Sequence, residues 1–450
     1  MIELLAHGIG GIRDLPIPMN WFFYGAAAIL VLSFAALATL WKKPVLEGLA
    51  HGRRAPDALS RFLLSPVLHA VIRALAFAAL VVVFLAAVLG RESGGANLAP
   101  YVVYVVFWVG FVVLTVFLGN VWSVLNPWRA PADLLAAVAR RERPPLDYPE
   151  RLGRWPAAFL LFAFVALELA YVDAASPRTL AVAIAIYSAI TWAGMAFFGR
   201  DTWLANGEAF TVYFSFLSRI APLAVEEGRI VVRPFFAGLA RRDGRPGSIA
   251  FVAVMLGSVL WDGFSRLSVW QDRYYDVQVE LLDNPTAADI VGTLMSVAGL
   301  AVAIGVVALL FRIAVLGAAW VSERDEEGLT DDFLWSLVPI ALVYVIAHYF
   351  TLLVYQTQVA VRLVSDPFGK GWDLFGSIDF EPNFTLLSPN TVWYVQVGAL
   401  VVGHVAGLVL AHDRAVGLFR SARAAMWSQY PMLALMVAYT VGGLWLLSQE

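Results

Sequence analysis

The chain has 450 residues, of which 60% are hydrophobic and only 14% are charged, a composition far from that of a soluble globular domain. We therefore expect a polytopic membrane protein. The formal net charge of −3 argues against nucleic acid as a partner, because phosphate binding needs clustered Lys and Arg. Cysteine is absent, which excludes disulfides, thiolate metal sites and a cysteine nucleophile.

Ten apolar segments are each long enough to cross a hydrocarbon core of about 30 Å. Lys and Arg cluster in the loops 42–67, 125–155 and 412–427, which the positive-inside rule places in the cytoplasm. We therefore expect an all-α transmembrane bundle with both termini outside, forming one domain over 1–450 in the cytoplasmic membrane. The expected spans lie at 20–41, 68–90, 101–124, 156–176, 180–198, 249–266, 290–312, 334–360, 391–411 and 429–447.

Residues 203–224 form a further apolar segment. If it crossed the membrane, the five arginines between positions 229 and 245 would move outside, against the positive-inside rule. Its polar residues fall on one helical face: Glu208, Thr211, Ser215 and Arg219. We therefore expect a cytoplasmic interfacial or re-entrant helix. Earlier in the chain, the sequence from Trp122 to Arg129 is typical of an anchor at the inner membrane surface.

Four ionisable residues stand well inside apolar spans: Glu168, Asp262, His348 and His404. An ionisable side chain at the helix centre costs at least about 2.5 to 3.5 kcal/mol, so such residues usually face a partner, a cavity or a pathway. At a rise of about 1.5 Å per residue, the first three lie roughly 18 to 21 Å from the inner ends of their spans, whereas His404 lies about 10 Å from the inner face. Glu168, Asp262 and His348 are therefore the candidate site for a cation or proton.

Two of these residues, Asp262 and Glu168, can also be accommodated inside an apolar span in other ways. Asp262 precedes Arg266 by four residues, so an ion pair on one helix would neutralise it. Glu168 has no basic neighbour at helical spacing, which leaves protonation, pairing across helices or a bound cation.

His404 is expected to have a packing role. It lies in the string GHVAG, where Gly403 and Gly407 favour close helix contact, and its imidazole would donate to a backbone carbonyl. The offset in depth between His348 and His404 argues against a haem b held by the two.

The eighth span carries a polar stripe on one helical face: His348, Thr351, Tyr355, Gln358 and Arg362. Such a stripe is typical of the wall of a water-accessible outward cavity, and equally of a hydrogen-bonded seam between helices. On the same side, the loop 365–376 has the Gly, Pro and aromatic content of a packed lid. The segment 7–16 is either a second lid, which would bring His7 to the cavity, or a loose terminus.

Seven strings spread over nearly the whole chain carry a family resemblance: AHGIGGIRDLPIP, NVWSVLNPWR, GRDTWLANGEAFTVYFSFLSRIAPL, WDGFSR, HYFTLLVYQTQ, SDPFGKGWDLFG and GHVAGLVLAHDRA. They resemble bacterial, mainly actinobacterial, integral membrane proteins that carry the name fenitrothion hydrolase. The resemblance implies hydrolysis of an organophosphorus ester and implies no particular catalytic residues.

Three functional hypotheses follow. A transporter or permease would use Glu168, Asp262 and His348 to bind a cation or relay protons, with the stripe of the eighth span as its route. A hydrolase would use the same three residues, with His7, to hold a divalent metal that activates water. A structural or assembly subunit would use its polar residues only to fix helix packing. The chain contains no Walker A, H-E-x-x-H or G-x-S-x-G motif, which argues against ATP-driven transport and serine hydrolase chemistry.

Overall fold

The computed structural model describes residues 18–139, 144–322, 326–419 and 421–449. Within these ranges nine helices are long and apolar enough to cross a membrane, and a bent helix pair provides a tenth candidate. The nine are Asn20–Leu40, Asp57–Leu89, Leu98–Leu118, Glu150–Leu169, Pro177–Phe198, Pro285–Trp320, Gly328–Val364, Pro389–Leu418 and Arg423–Leu447. The bent pair is Ser248–Phe264 and Ser268–Glu280, which meet at 75°. Each expected span coincides with one of these helices, so the all-α polytopic prediction is confirmed.

We number the spans 1 to 10 in chain order, with Ser248–Phe264 as span 6. Between the spans, short α-helices occupy Leu46–Leu49, Trp122–Leu125, Arg129–Ala139, Arg200–Asn206 and Ala209–Ser218. Span 8 begins with the short helix Glu326–Leu334, and span 10 begins with Ala422–Trp427. Short 3₁₀ segments occupy Gly94–Ala96, Glu150–Leu152, Ala237–Ala240 and Trp335–Leu337. Span 3 contains a π-helical stretch, Tyr101–Gly110.

Spans 8 and 9 pack closely because two glycines of span 9 leave room for span 8. A Cβ atom at Gly403 would lie 2.2 Å from Val343 Cγ2, and one at Gly407 would lie 2.6 Å from the carbonyl oxygen of Ser336. The two glycines therefore have the packing role expected for a pair of small residues at this spacing.

The helix Ala209–Ser218 is buried inside the bundle. Its ten residues extend about 15 Å, too short to cross the membrane. Phe214 and Leu217 are fully buried, and Phe210 packs edge-on against Phe107 of span 3 at 4.6 Å. The polar residues Thr211, Ser215 and Ser218 are half-buried. Packing among the spans fits the re-entrant form expected for 203–224 better than the interfacial one, and we call this segment the re-entrant helix.

A small antiparallel sheet, which the sequence analysis did not anticipate, joins two loops on the predicted cytoplasmic side. Its strands are β1 (Arg53–Arg54), β2 (Leu223–Glu226) and β3 (Arg229–Val232), in the order β1-β3-β2. Glu227 and Gly228 both have positive φ, at 49° and 72°, as a two-residue type I′ hairpin requires. The sheet connects the loop after span 1 to the segment after the re-entrant helix.

Candidate functional site

Asp262, near the predicted outer end of span 6, is the centre of a buried polar network. Its carboxylate accepts hydrogen bonds from His348 Nε2 at 2.6 Å, from the Tyr349 hydroxyl at 3.2 Å and from Arg266 Nη2 at 2.9 Å. The ion pair expected between Asp262 and Arg266 is present. Asp262 and His348 also lie at the same level, as their depths predicted, because their side chains are in direct contact.

The short hydrogen bond to Asp262 indicates the protonation of His348 at one nitrogen. A carboxylate only accepts, so Nε2 carries the proton of that bond. Since Asp262 and Arg266 already form a neutral pair, protonation of His348 changes the net charge of these three groups from zero to positive.

The network lies at the break between span 6 and the outer helix Ser268–Glu280. Asp262 is in the last turn of span 6, and Arg266 is in the three-residue break. Arg266 Nε also donates to the backbone carbonyl of Asp262 at 3.3 Å. The side chain of Arg266 thus ties the break to the span.

Glu168 belongs to the same region of the bundle. It lies one residue before the end of the helix Trp155–Leu169, which packs against span 6. Its charge interacts with the Asp262 carboxylate and with the Tyr349 hydroxyl. Oε2 of Glu168 is enclosed and has no hydrogen-bond partner among the described residues.

The described residues contain no group of three His, Asp or Glu side chains arranged to hold a metal ion. The expected ligands Glu168, Asp262 and His348 do not form such a group, and His7 lies outside the described residues. The oxygens of Asp262 are also occupied by hydrogen-bond donors. The metal hypothesis therefore has no ligand set in the part of the chain that the structure describes.

The stripe of span 8 changes from buried to exposed toward the outer side. Thr351 and Tyr355 are buried, Gln358 is half-buried and Arg362 is exposed. The Tyr355 hydroxyl donates to the backbone carbonyl of Leu387 at 3.4 Å.

Gln358 makes a stronger connection to the outer loop. Its Nε2 donates to the backbone carbonyl of Asn383 at 3.2 Å, and its Oε1 accepts from the Asn383 amide at 2.9 Å. Of the two alternatives for the stripe, a cavity wall or a hydrogen-bonded seam, Tyr355 and Gln358 fit the seam. Both side chains are hydrogen-bonded to the backbone of the outer loop.

The start of the outer loop, 365–377, is compactly folded, as expected of a packed lid. The hydroxyl oxygens of Ser365 and Ser377 lie 2.7 Å apart, and Asp366 accepts from the amides of Lys370 and Gly371 at 2.8 Å each. The slight burial of Asp366 raises its pKa, but these backbone amides outweigh that effect and hold the pKa below its ordinary value.

A narrow cavity lies beside His348, between spans 6, 8 and 10. Its volume is about 10 Å³, and its lining includes Tyr344, Gly443 and Leu447. One water molecule needs about 10 to 15 Å³ on the same measure. The cavity is thus at the limit for a single water.

His404 has the packing environment that the sequence predicted. It is fully buried, and Nδ1 donates to the Leu400 carbonyl at 2.8 Å, since a carbonyl only accepts. Its ring packs edge-on against Tyr344 at 5.8 Å. Because Tyr344 lies one turn inward of His348, His404 is on the inner side of the Asp262 network, as its estimated depth indicated.

Glu208 is a buried acid whose environment the sequence analysis missed. It is fully buried and caps the re-entrant helix through the amides of Phe210 and Thr211, at 3.0 and 2.8 Å. The Tyr187 hydroxyl, the Thr211 hydroxyl and Asn126 Nδ2 also donate to it. Because all of its partners are donors, Glu208 is satisfied as a carboxylate. The available signal was its position directly before a helix, typical of a capping residue.

The segment expected to form an interfacial anchor is buried instead. Asn126 is 1% exposed and Trp128 is 5% exposed, and Trp128 Nε1 donates to the Ser188 hydroxyl of span 5 at 2.8 Å. The anchor prediction is therefore wrong: Asn126 and Trp128 form part of the wall around the cap of the re-entrant helix.

A second charged cluster lies on the predicted cytoplasmic side. The Asp243 carboxylate pairs with Arg154 at 2.5 Å, Arg219 at 2.8 Å and Arg245 at 3.2 Å. Burial by itself raises the pKa of Asp243, but the three guanidinium groups outweigh it and hold the pKa below the ordinary value of 3.8. This cluster holds the inner end of the re-entrant helix beside the start of span 6.

Comparisons of the chain with protein-family models, with curated proteins and with solved structures found no match.

Proposed function

We propose that the chain is a transporter or permease of the cytoplasmic membrane, in which Glu168, Asp262 and His348 bind a cation or a proton. The observation that carries this proposal is the Asp262 carboxylate, which is shared by a fixed cation, Arg266, and a titratable imidazole, His348. A small molecule or ion is the expected cargo.

The charges explain why this arrangement suits an ion site better than a purely structural one. An ion pair between Asp262 and Arg266 alone would satisfy both charges. The added imidazole gives the site a third group, one that can bind and release a proton. Nearby, the unpaired Oε2 of Glu168 is unexpected in a seam that serves only for packing, where buried polar atoms are normally hydrogen-bonded.

The proposed route follows the stripe of span 8 from the outer side. Arg362 is at its exposed end, and Gln358, Tyr355 and Thr351 lead toward His348. The outer loop is hydrogen-bonded to Tyr355 and Gln358, so it covers this route in the state described. Entry along the stripe then requires the loop to move, a gating step of a common kind.

Charge movement in proteoliposomes tests the proposal. Membranes that contain the full-length protein are adsorbed on a solid-supported electrode and exposed to rapid jumps in pH, Na⁺, K⁺ or Mg²⁺. We expect at least one jump to produce a current, because an ion that enters a buried site displaces charge. We expect this current to be lost in Asp262→Asn and strongly reduced in Glu168→Gln.

The matched control is Asp272→Asn, since Asp272 is an exposed acid on the outer helix only ten residues away. It should retain the wild-type current. Gel filtration of each variant verifies that it is folded. Equal currents in the wild type and in folded Asp262→Asn, or a wild type silent to every ion, would contradict the proposed site.

A further inference from the structure

Three unpaired polar atoms lie close together near the end of span 4. Glu168 Oε2, Trp108 Nε1 and the Tyr213 hydroxyl are all enclosed, and none has a hydrogen-bond partner in the described part of the chain. Trp108 is 4% exposed and Tyr213 is 1% exposed. An unsatisfied buried polar group costs about 1 to 3 kcal/mol, so three in one place need an explanation.

The two aromatic side chains face the same carboxyl group. Their rings lie 4.8 Å apart and are inclined by 30°. The Trp108 indole makes at most a weak hydrogen bond to the Glu168 carboxyl, and the Tyr213 hydroxyl interacts with the Glu168 charge. Glu168 therefore lies beside two donors that leave its Oε2 unsatisfied.

The three come from different elements, two of which are unusual. Trp108 lies in the π-helical stretch of span 3, Tyr213 lies on the re-entrant helix, and Glu168 is in the last turn of its helix. π-Helical turns are rare and occur frequently at functional sites. The backbone thus departs from regular spans at the point where Glu168 is placed.

The chemistry of the surrounding groups restricts the ligand. An indole N–H only donates and cannot coordinate a cation. Two further hydroxyls interact with the Glu168 charge, those of Tyr104 and Tyr349, which donate to the Ala174 carbonyl at 2.9 Å and to Asp262 at 3.2 Å. With the Tyr213 hydroxyl and the two oxygens of the Glu168 carboxyl, these groups offer five oxygens, fewer than the about six or more that a hard metal cation takes.

A proton fits these groups in both of its states. When Glu168 is ionised, its carboxylate accepts from the Trp108 indole and the Tyr213 hydroxyl. When Glu168 is protonated, its O–H donates to the Tyr213 oxygen, because a hydroxyl both donates and accepts. We infer that the ion bound in this transporter is the proton and that Glu168, between Trp108 and Tyr213, is the group that carries it. This inference rests on the proposed transport function.

The Tyr349 hydroxyl connects the outer network to Glu168. It donates to Asp262 and interacts with the Glu168 charge. In the transfer step, the Tyr349 O–H rotates from Asp262 to Glu168, the imidazolium of His348 gives its Nε2 proton to the Asp262 carboxylate, and Asp262 passes that proton to the Tyr349 oxygen as the hydroxyl releases its own proton to Glu168. The step converts imidazolium and carboxylate into neutral imidazole and carboxylic acid, and no electrons change hands.

The test uses the full-length protein in proteoliposomes on the same electrode, with pH jumps at constant salt and Na⁺ or K⁺ jumps at constant pH. We expect currents from the pH jumps alone, and their loss in Glu168→Gln. Tyr213→Phe removes only an unpaired hydroxyl, so it should slow the pH-driven current by at least about tenfold, the low end of what a positioned proton donor contributes. It should leave the thermal unfolding temperature unchanged or raise it.

The matched control is Tyr439→Phe, which removes a hydroxyl that is bonded to the Val307 carbonyl at 3.3 Å, away from Glu168. It should lower the unfolding temperature and leave the kinetics of the current unchanged. If Tyr213 served only in packing, Tyr213→Phe would not slow the current while it leaves the unfolding temperature unchanged or raised.

Infrared difference spectra supply a second readout that does not depend on turnover. Acidification should produce the C=O band of a buried carboxylic acid in the wild type and in Asp272→Asn, and the band should be missing in Glu168→Gln. Currents from Na⁺ or K⁺ that require Glu168, with none from pH, would overturn the proton assignment and leave the transporter standing. A pH current and carboxyl band unaffected by Glu168→Gln would overturn the role of Glu168, and silence to every ion would overturn the transport proposal as well.

Discussion

Removal of the Asp262 carboxylate should destabilise the bundle more than the loss of an exposed acid. In Asp262→Ala, Arg266, His348 and Tyr349 all lose the acceptor that they share. Breaking a buried ion pair at one partner typically costs about 3 to 5 kcal/mol, because the other charge remains in a poorly solvated site. The stranded hydroxyl of Tyr349 adds about 1 kcal/mol.

The exposure of Arg266 refines this magnitude. Its side chain is 18% exposed, whereas those of Asp262 and His348 are 5% and 4% exposed. Water therefore reaches part of the guanidinium group after the substitution, and we expect a total loss near the low end of the sum of the two effects, about 4 kcal/mol. In the double variant Asp262→Ala/Arg266→Ala the stranded charge is gone, so about 1 to 2 kcal/mol should return, within the usual range of coupling between contacting residues.

Equilibrium unfolding in mixed detergent micelles measures these free energies. The chain contains 16 tryptophans, so intrinsic fluorescence follows the transition. Asp272→Ala is the control and should change the free energy of unfolding by no more than about 0.5 kcal/mol, as is usual for surface substitutions. If Asp262→Ala loses less than about 1 kcal/mol, or if the double variant is less stable than the single one, Asp262 is not the shared acceptor of a buried network.

Two further predictions concern packing and acid stability. Gly407→Ala should destabilise by about 1 to 3 kcal/mol in the same unfolding assay, because its Cβ would lie 2.6 Å from the Ser336 carbonyl oxygen. Gly398→Ala on the same helix has open space within 4 Å among the described atoms, so it should be neutral or gain up to about 1 kcal/mol, and equal effects of the two substitutions would contradict the packing of spans 8 and 9. Because the pKa of Asp243 is below 3.8 in the folded chain, the stability that it contributes is complete above that pH and is lost as the pH falls through the folded pKa. Unfolding temperatures measured from pH 7 to 3 should therefore fall less steeply below pH 4 in Asp243→Asn than in the wild type, and parallel curves would count against the three-arginine cluster.

The features that the sequence predicted well depend on local rules. Spans are visible because an uninterrupted apolar stretch of about 20 residues is needed to cross the bilayer. The pair of Asp262 and Arg266 is visible because residues four apart on a helix are neighbours. The contact of Asp262 with His348 joins residues 86 positions apart, and only their estimated depths indicated it.

The environment of Glu208 could not be predicted from such local rules. A polar residue in an apolar segment has the same sequence pattern whether it faces water or buried donors. The donors that satisfy Glu208 include Asn126 and Tyr187, which come from separate parts of the chain. For the same reason the tryptophans near Asn126 were interpreted as an interfacial anchor, although their side chains are enclosed by other helices.

The small sheet limits how far the loop between spans 1 and 2 can move relative to the segment before span 6. β1 belongs to the loop between spans 1 and 2, whereas β2 and β3 precede span 6, and backbone hydrogen bonds such as that from Ala55 to Ile230 at 2.9 Å join them. The outer loop is tied to span 8 mainly through the side chains of Tyr355 and Gln358. We therefore expect the two ends of the bundle to differ in stiffness: the sheet ties two loops together at the predicted inner end, and the helices should separate more easily at the end where Asp262 and His348 lie.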